Sequence, residues 1–342
     1  MSDKHGGNAT GTVTHAGAVR PRTSAQRSPR GRYAFIPARL GHNTTNDAVA
    51  EAIIKAQEYY FSGDLTKWRQ SIYYQALAVS QLRKSLDASD TTLMTVAMLT
   101  LYEDVARFDE LSWYPHQHAI VSILQARPES WPTSDMATAV LYAFWGPSFG
   151  FSCFEGTPSP FDEKKWLSLD PVWQTCAASQ ALSKLRKLAH QLLIQTPRLV
   201  AMLWDINGRS NRSVDSAELE RLSTLAQCLY DRVDAESEGV LLHNVAVVRS
   251  PDRAGKALVA YVFEFHSIDE METAVLYWIA RIHINRLCRS ILELAAVDEK
   301  PYPNQGDTAK TMQSSLPSML AGLTHEQLQA EQTRLATNVL MS

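Results

Sequence analysis

Apolar residues recur every three or four positions along most of the chain, so the spacing predicts helices almost throughout. Asn46 and Asp47 stand ready to cap a helix over 48–61. Asp64 opens a run over 65–86, and Asp90 caps an apolar run over 91–108. Ser112 precedes a run over 113–127, and Ser134 precedes another over 135–145. Asp170-Pro171 pairs a capping acid with proline at the first helical position and starts a helix continuing to about Gln195. Asp215 and Glu218 open a helix whose Leu222, Ala226, Leu229 and Val233 share one face. The longest periodic run spans 269–297, where Leu276, Ala280, Ile284, Leu287, Ile291 and Leu294 align. A last helix is expected over 324–340.

The pattern breaks in three places. Gly146-Pro147 is expected to end a helix and begin a loop over 146–162, and a second loop covers 298–318. Residues 257–268 (ALVAYVFEFHSI) have the composition of a strand, but a lone strand lacks a partner, so they are assigned to helix. Residues 1–40 are rich in Gly, Ser, Thr, Pro and Arg without apolar periodicity, and read as a disordered arm. No period of 20–50 residues repeats. The fold class expected is all-α, with one large helical domain over 41–342.

Charge sharpens this division. The net charge of −3 conceals +6 over residues 1–40 and −9 over the remainder. A basic arm on an acidic body suggests that only the arm meets polyanions. Arg20, Arg22, Arg27, Arg30 and Arg32 form a candidate nuclear-import or phosphate-contacting segment. A transit peptide would be more amphipathic than this stretch. Apolar runs are too short to cross a membrane, and no secretory h-region is expected at the start. The four cysteines, Cys153, Cys176, Cys228 and Cys288, are widely spaced and contain no C-x-x-C pair. They read as buried thiols in a reducing compartment rather than a disulfide framework or zinc module.

Candidate chemistry is sparse. Gly146-Pro147-Ser148-Phe149-Gly150 spells the G-x-S-x-G of hydrolase nucleophiles. That motif requires a strand before the serine and a helix after it, whereas a helical run precedes Ser148. His116 and His118 form an H-x-H; on a helix they point about 200° apart and cannot share a metal, whereas on a strand they could, and a structural histidine against Trp113 is the reading adopted. Glu103, on an apolar helix, reads as a packed ion pair. Arg281, Arg286 and Arg289 with His283 read as a solvated or ion-paired helix face, with a groove as the alternative. No phosphate loop or dinucleotide fingerprint occurs, and no catalytic residue, metal ligand or cofactor is assigned.

Residues 91–127 carry a likeness. An apolar helix ends in Leu101-Tyr102-Glu103, and a short link leads to Trp113, His116 and Ala119, with Arg127 closing the next apolar helix. This order resembles the middle regulatory region of the fungal zinc-binuclear-cluster transcription factors. There the position of Ala119 is usually glycine. The resemblance spans roughly 45–297, being carried further by the late helix AVLYWIARIHINRLCRSILEL. It implies an all-α nuclear regulatory domain that modulates transcription. It also implies packing roles for His116 and Glu103. The family's DNA-reading module needs six cysteines near the N-terminus, and no cysteine precedes Cys153. Sequence-specific DNA binding is therefore not carried over. The expected partner is a DNA-bound transcription factor or a second copy, and no membrane is expected. A local gene set, such as a secondary-metabolite cluster, is the expected target. Two alternatives stand beside this reading: a full zinc-cluster activator whose first exon is missing, and a helical enzyme or ligand-binding protein using the Gly146–Gly150 loop.

Overall fold

The computed structural model describes residues 36–37, 40–84, 86–106, 114–127, 134–168, 180–208, 215–249, 260–298 and 323–342. The arginines of the basic arm, Trp113, Ser112, Asp170-Pro171 and Cys176 lie outside these residues. Among the described residues the chain is a multi-helix α domain with one pair of short strands.

Most helix starts follow from local capping chemistry. Helix α1 (Thr44–Ser62) begins at Asn43, whose side chain accepts from the backbone of Thr45 and Asn46. The expected caps Asn46 and Asp47 lie inside the first turn. Asn46 is instead buried, and its Oδ1 accepts from Thr95 Oγ1 at 2.6 Å. Gly63 ends α1 with φ +70°, a left-handed residue suited to glycine. Asp64 caps α2 (Leu65–Leu82), as its spacing predicts. Helix α3 (Asp90–Ala106) is capped one residue earlier than expected, since Ser89 Oγ accepts from Thr92 N at 3.2 Å. Helix α4 spans Tyr114–Gln125.

Helix α5 (Asp135–Glu155) is capped by Ser134 and passes straight through Gly146-Pro147. The expected helix end and loop at 146 are thus wrong; the turn comes at Gly156, φ +64°. Proline forfeits one backbone donor, and its ring crowds the preceding residue. Gly146 has no Cβ to be crowded, and Ala143, Phe144 and Ser148 bury around the site. Packing therefore outweighs the lost hydrogen bond. The one-turn helix α6 (Lys164–Leu167) inserts Trp166 into the core. Helix α7 (Gln180–Gly208) likewise continues through buried Pro197, beyond the expected end at Gln195. The neighbouring Thr196 hydroxyl donates to the Leu192 carbonyl at 2.7 Å.

Asp215 caps α8 (Ser216–Tyr230), which buries Leu222, Ala226 and Leu229. Val233 falls beyond its end and is exposed. Helix α9 (Ala235–His243), capped by Asp234, leads into strand β1 (Ala246–Arg249). Strand β2 (Tyr261–Glu264) pairs with it antiparallel, Ala246 facing Glu264. The assignment of 257–268 to helix is therefore corrected for residues 261–264. Their partner was present in the Val247-Val248 stretch, too short to register as a strand by itself. Helix α10 (Ile268–Asp298) buries Ala280, Ile284 and Ile291 as its periodicity predicts. Helix α11 (His325–Met341) opens with a complete capping box between Thr324 and Gln327.

A buried apolar cluster runs from Ala48 to Leu335. Its two centres are α3, apolar on every side, and α10, which packs on α7, α8, α9 and α11. Of the described cysteines, Cys288 is buried, Cys153 half-buried and Cys228 exposed, so burial holds for the first alone. Burial raises the Cys153 thiol to about 11 and the Cys288 thiol to about 12, which keeps both protonated.

Candidate functional site

The described positions of the sequence motif collect around α3. Tyr102 and Glu103 are adjacent, so the helix turns them to different neighbours. Tyr102, fully buried, points at the α1–α2 pair, its hydroxyl 3.0 Å from Ser71 Oγ. Ser71 Oγ also donates to the Ala52 carbonyl at 3.0 Å. One buried hydroxyl chain thus ties three helices together. Glu103, 7% exposed, faces α4, where His116 Nε2 lies 3.6 Å from its Oε1. Ala119 packs against the core from the same helix, and Leu101 is half-buried.

Arg127 lies just past α4 and reaches back to the start of α3. Its Nη1 lies 2.8 Å from Asp90 Oδ1. The Ser134 hydroxyl reaches the same carboxylate, 2.8 Å from Oδ2, while capping α5. Asp90 therefore anchors the ends of three helices rather than capping one. This node was not legible in the sequence, because Arg127 and Ser134 lie 37 and 44 residues from Asp90.

The two histidines of the H-x-H diverge. His116 meets α3, while His118 packs edge-on to Tyr114 at 4.4 Å and lies 3.9 Å from Glu155 on α5. Tyr114 OH also donates to Glu155. Among the described residues no group of three His, Cys, Asp or Glu side chains is placed to hold a metal ion.

Ser148 lies in the interior of α5, 4% exposed, without the strand-turn-helix geometry of a nucleophile elbow. The Gly146–Gly150 loop invoked by the enzyme or ligand-binding alternative is helix. A cavity of about 20 Å³ lies among α5, α6 and α7, lined by Leu141, Tyr142, Trp166, Lys187, His190 and Gln191 among others. That volume holds about one water, not an organic ligand. His190 lies against Tyr142, ring centroids 4.5 Å apart. Burial, reinforced by nearby Arg186, pushes its pKa well below the ordinary histidine value.

The basic stripe of α10 divides. Arg281 is 1% exposed and its Nη2 lies 2.8 Å from Glu331 Oε1 on α11. It also donates to the Tyr230 carbonyl and lies over the Tyr230 ring at 4.8 Å. Arg289 bonds Gln329 and Gln332. Arg286 is exposed, and half-buried His283 meets Phe149 edge-on. A second buried carboxylate, Glu238, accepts from Trp278 Nε1 at 3.0 Å and pairs with Arg334 at 2.8 Å. Two ion pairs thus fasten α11 to the body, and Arg281 is buried rather than lining an open groove among the described residues.

Compared with known protein families, curated proteins and solved structures, the chain matches none.

Proposed function

We propose that this chain is a transcriptional regulator of the fungal zinc-cluster type, working through its helical domain by contact with a DNA-bound partner. The observation that supports the reading is the seam around α3. Tyr102, Glu103, His116 and Arg127, the polar members of the family-like motif, all make interhelical contacts there. Their roles are architectural, as the resemblance implies, and they leave the outer faces of the helices for contact. The proposed site of action is the nucleus, reached through the arm bearing Arg20, Arg22, Arg27, Arg30 and Arg32. The proposed target is a local gene set, such as a secondary-metabolite cluster.

The test is localisation followed by tethering. A fluorescent fusion of the whole chain is expected in the nucleus and is expected to leave it when the five arginines become alanine. The chain fused to a heterologous DNA-binding module is expected to change reporter output. Cytoplasmic residence of the wild type together with a silent reporter would sink the proposal.

A further inference from the structure

Helix α2 is largely exposed, and it is unlike the rest of the body in charge. It buries only Ser71 and Ala78 fully. Its outer face shows Leu65 (60% exposed), Ile72 and Tyr73 (64%), and Phe61 at the end of α1 is also exposed (84%). Leu65 and Ile72 are seven residues apart, one stripe of a helix. Interleaved on the same face is Arg69, four residues after Leu65 and three before Ile72. Arg83 and Lys84 close the face at the helix end. From Leu65 to Lys84 the chain carries four cations and no carboxylate, although residues 41–342 carry −9. Lys67 is occupied by Glu58 at 3.0 Å. Arg69, Arg83 and Lys84 are exposed and make no ion pair among the described residues.

An exposed apolar stripe rimmed by unpaired cations marks an interaction surface, and arginine and tyrosine are the residues on which such surfaces concentrate their energy. Charge selects the occupant. A second α2 would oppose cations with cations, which disfavours self-pairing through this face. A membrane-lying helix segregates its apolar and basic sides. Here Arg69 sits within the apolar stripe, so insertion would drag a guanidinium towards hydrocarbon. A protein segment can place a carboxylate opposite Arg69 and an apolar side chain opposite Ile72 at once.

We propose that the outer face of α2 docks an acidic amphipathic segment of a partner protein, one with apolar residues at helical spacing and Asp or Glu between them. This concerns the surface alone and holds whether or not the chain regulates transcription.

The probe is a labelled helical peptide with leucines at i, i+3, i+4 and i+7 and glutamates elsewhere, titrated against the full chain by fluorescence anisotropy. A matched peptide with lysines replacing the glutamates is the control. The acidic peptide is expected to bind and the basic one not. The triple variant R69E/R83E/K84E is expected to weaken the acidic peptide at least about tenfold and to gain affinity for the basic one. I72S/Y73S is expected to weaken the acidic peptide while the chain stays folded by circular dichroism, since neither side chain belongs to the buried core. Three outcomes overturn the proposal. One is equal binding of both peptides to the wild type. Another is peptide binding indifferent to the α2 variants. The third is α2-dependent binding to phosphatidylserine vesicles, or α2-dependent dimerisation in sedimentation, in place of peptide binding.

Discussion

Replacing Glu331 with leucine would strand a buried cation, and the structure says how far the damage spreads. Arg281 loses the carboxylate 2.8 Å from its Nη2, and Tyr230 loses the acceptor 3.0 Å from its hydroxyl. Breaking one side of a buried ion pair costs about 3–5 kcal/mol. Apart from the Arg289 bonds and half-buried Val339, α11 is held by few contacts. Its fully buried apolar residues are Leu328 and Leu335, each contributing about 1.5–3 kcal/mol. The remaining ion pair uses Arg334, half exposed, and contributes about 1 kcal/mol or less. The loss of about 3–5 kcal/mol removes much of an anchoring of about 4–7 kcal/mol, to which the Arg289 bonds to Gln329 and Gln332 add, so α11 should open before the rest unfolds. Native-state hydrogen exchange reads this directly: amides of 325–341 are expected to lose about two to four orders of magnitude of protection. The double variant Arg281→Met/Glu331→Leu removes both charges and is expected to restore most of it, because the uncompensated charge, not the missing contact, carries the cost. Retained α11 protection in the single variant would refute the reasoning. So would a double variant no better than the single.

Three further expectations use other sites. A Cβ on Gly156 would lie 2.6 Å from Trp204 Cε3, at a φ of +64°. Gly156→Ala should therefore lower the unfolding temperature more than Gly63→Ala, where φ is +70° but nothing lies within 4 Å and only about 1 kcal/mol of backbone strain applies; equal shifts would remove Trp204 from the account. Asn285 is fully buried on α10 with both amide atoms unpaired among the described residues, so Asn285→Leu should raise stability by about 1–3 kcal/mol in urea titration, and a loss would show that the amide is satisfied. His190 is held neutral in the fold, with its pKa below the unfolded value of 6.5. Its contribution is complete above pH 6.5 and is lost as pH falls towards the folded pKa, because the unfolded chain then binds the extra proton. His190→Leu should flatten the acid-side stability slope by up to about 1.4 kcal/mol per pH unit, and an unchanged slope would assign the effect elsewhere.

Capping chemistry made much of the fold legible. Asp64, Ser134, Asp215 and Thr324 satisfy helix-start donors within three residues, a purely local event that sequence displays. What escaped was decided at long range. Pro147 and Pro197 are helix breakers by local rule, yet each sits in a helix held by apolar packing that outweighs one missing donor. Strands β1 and β2 are four residues each and become strands only through each other. The same divide runs through the site. Glu103 was readable as a packed carboxylate from its apolar neighbours. The Asp90–Arg127–Ser134 node was not, because nothing local distinguishes Arg127 from a solvated arginine. The outer face of α2 was visible in principle, since twenty residues without a carboxylate in an acidic body is a sequence fact, but only the fold shows that no described residue covers this face.

The place of α10 in the chain has a consequence for biosynthesis. Helix α7 carries Leu185, Ala189, Leu192 and Leu199, all fully buried in the finished protein, and α10 is its largest neighbour. About 90 residues separate the end of α7 from the end of α10, which takes a ribosome roughly 5–18 s at 5–20 residues per second. For that interval the apolar face of α7 has been translated but its principal cover has not. The nascent chain is therefore expected to engage cotranslational chaperones midway through its synthesis, and slowing translation between 208 and 298 should increase its aggregation, whereas slowing it before 180 should not.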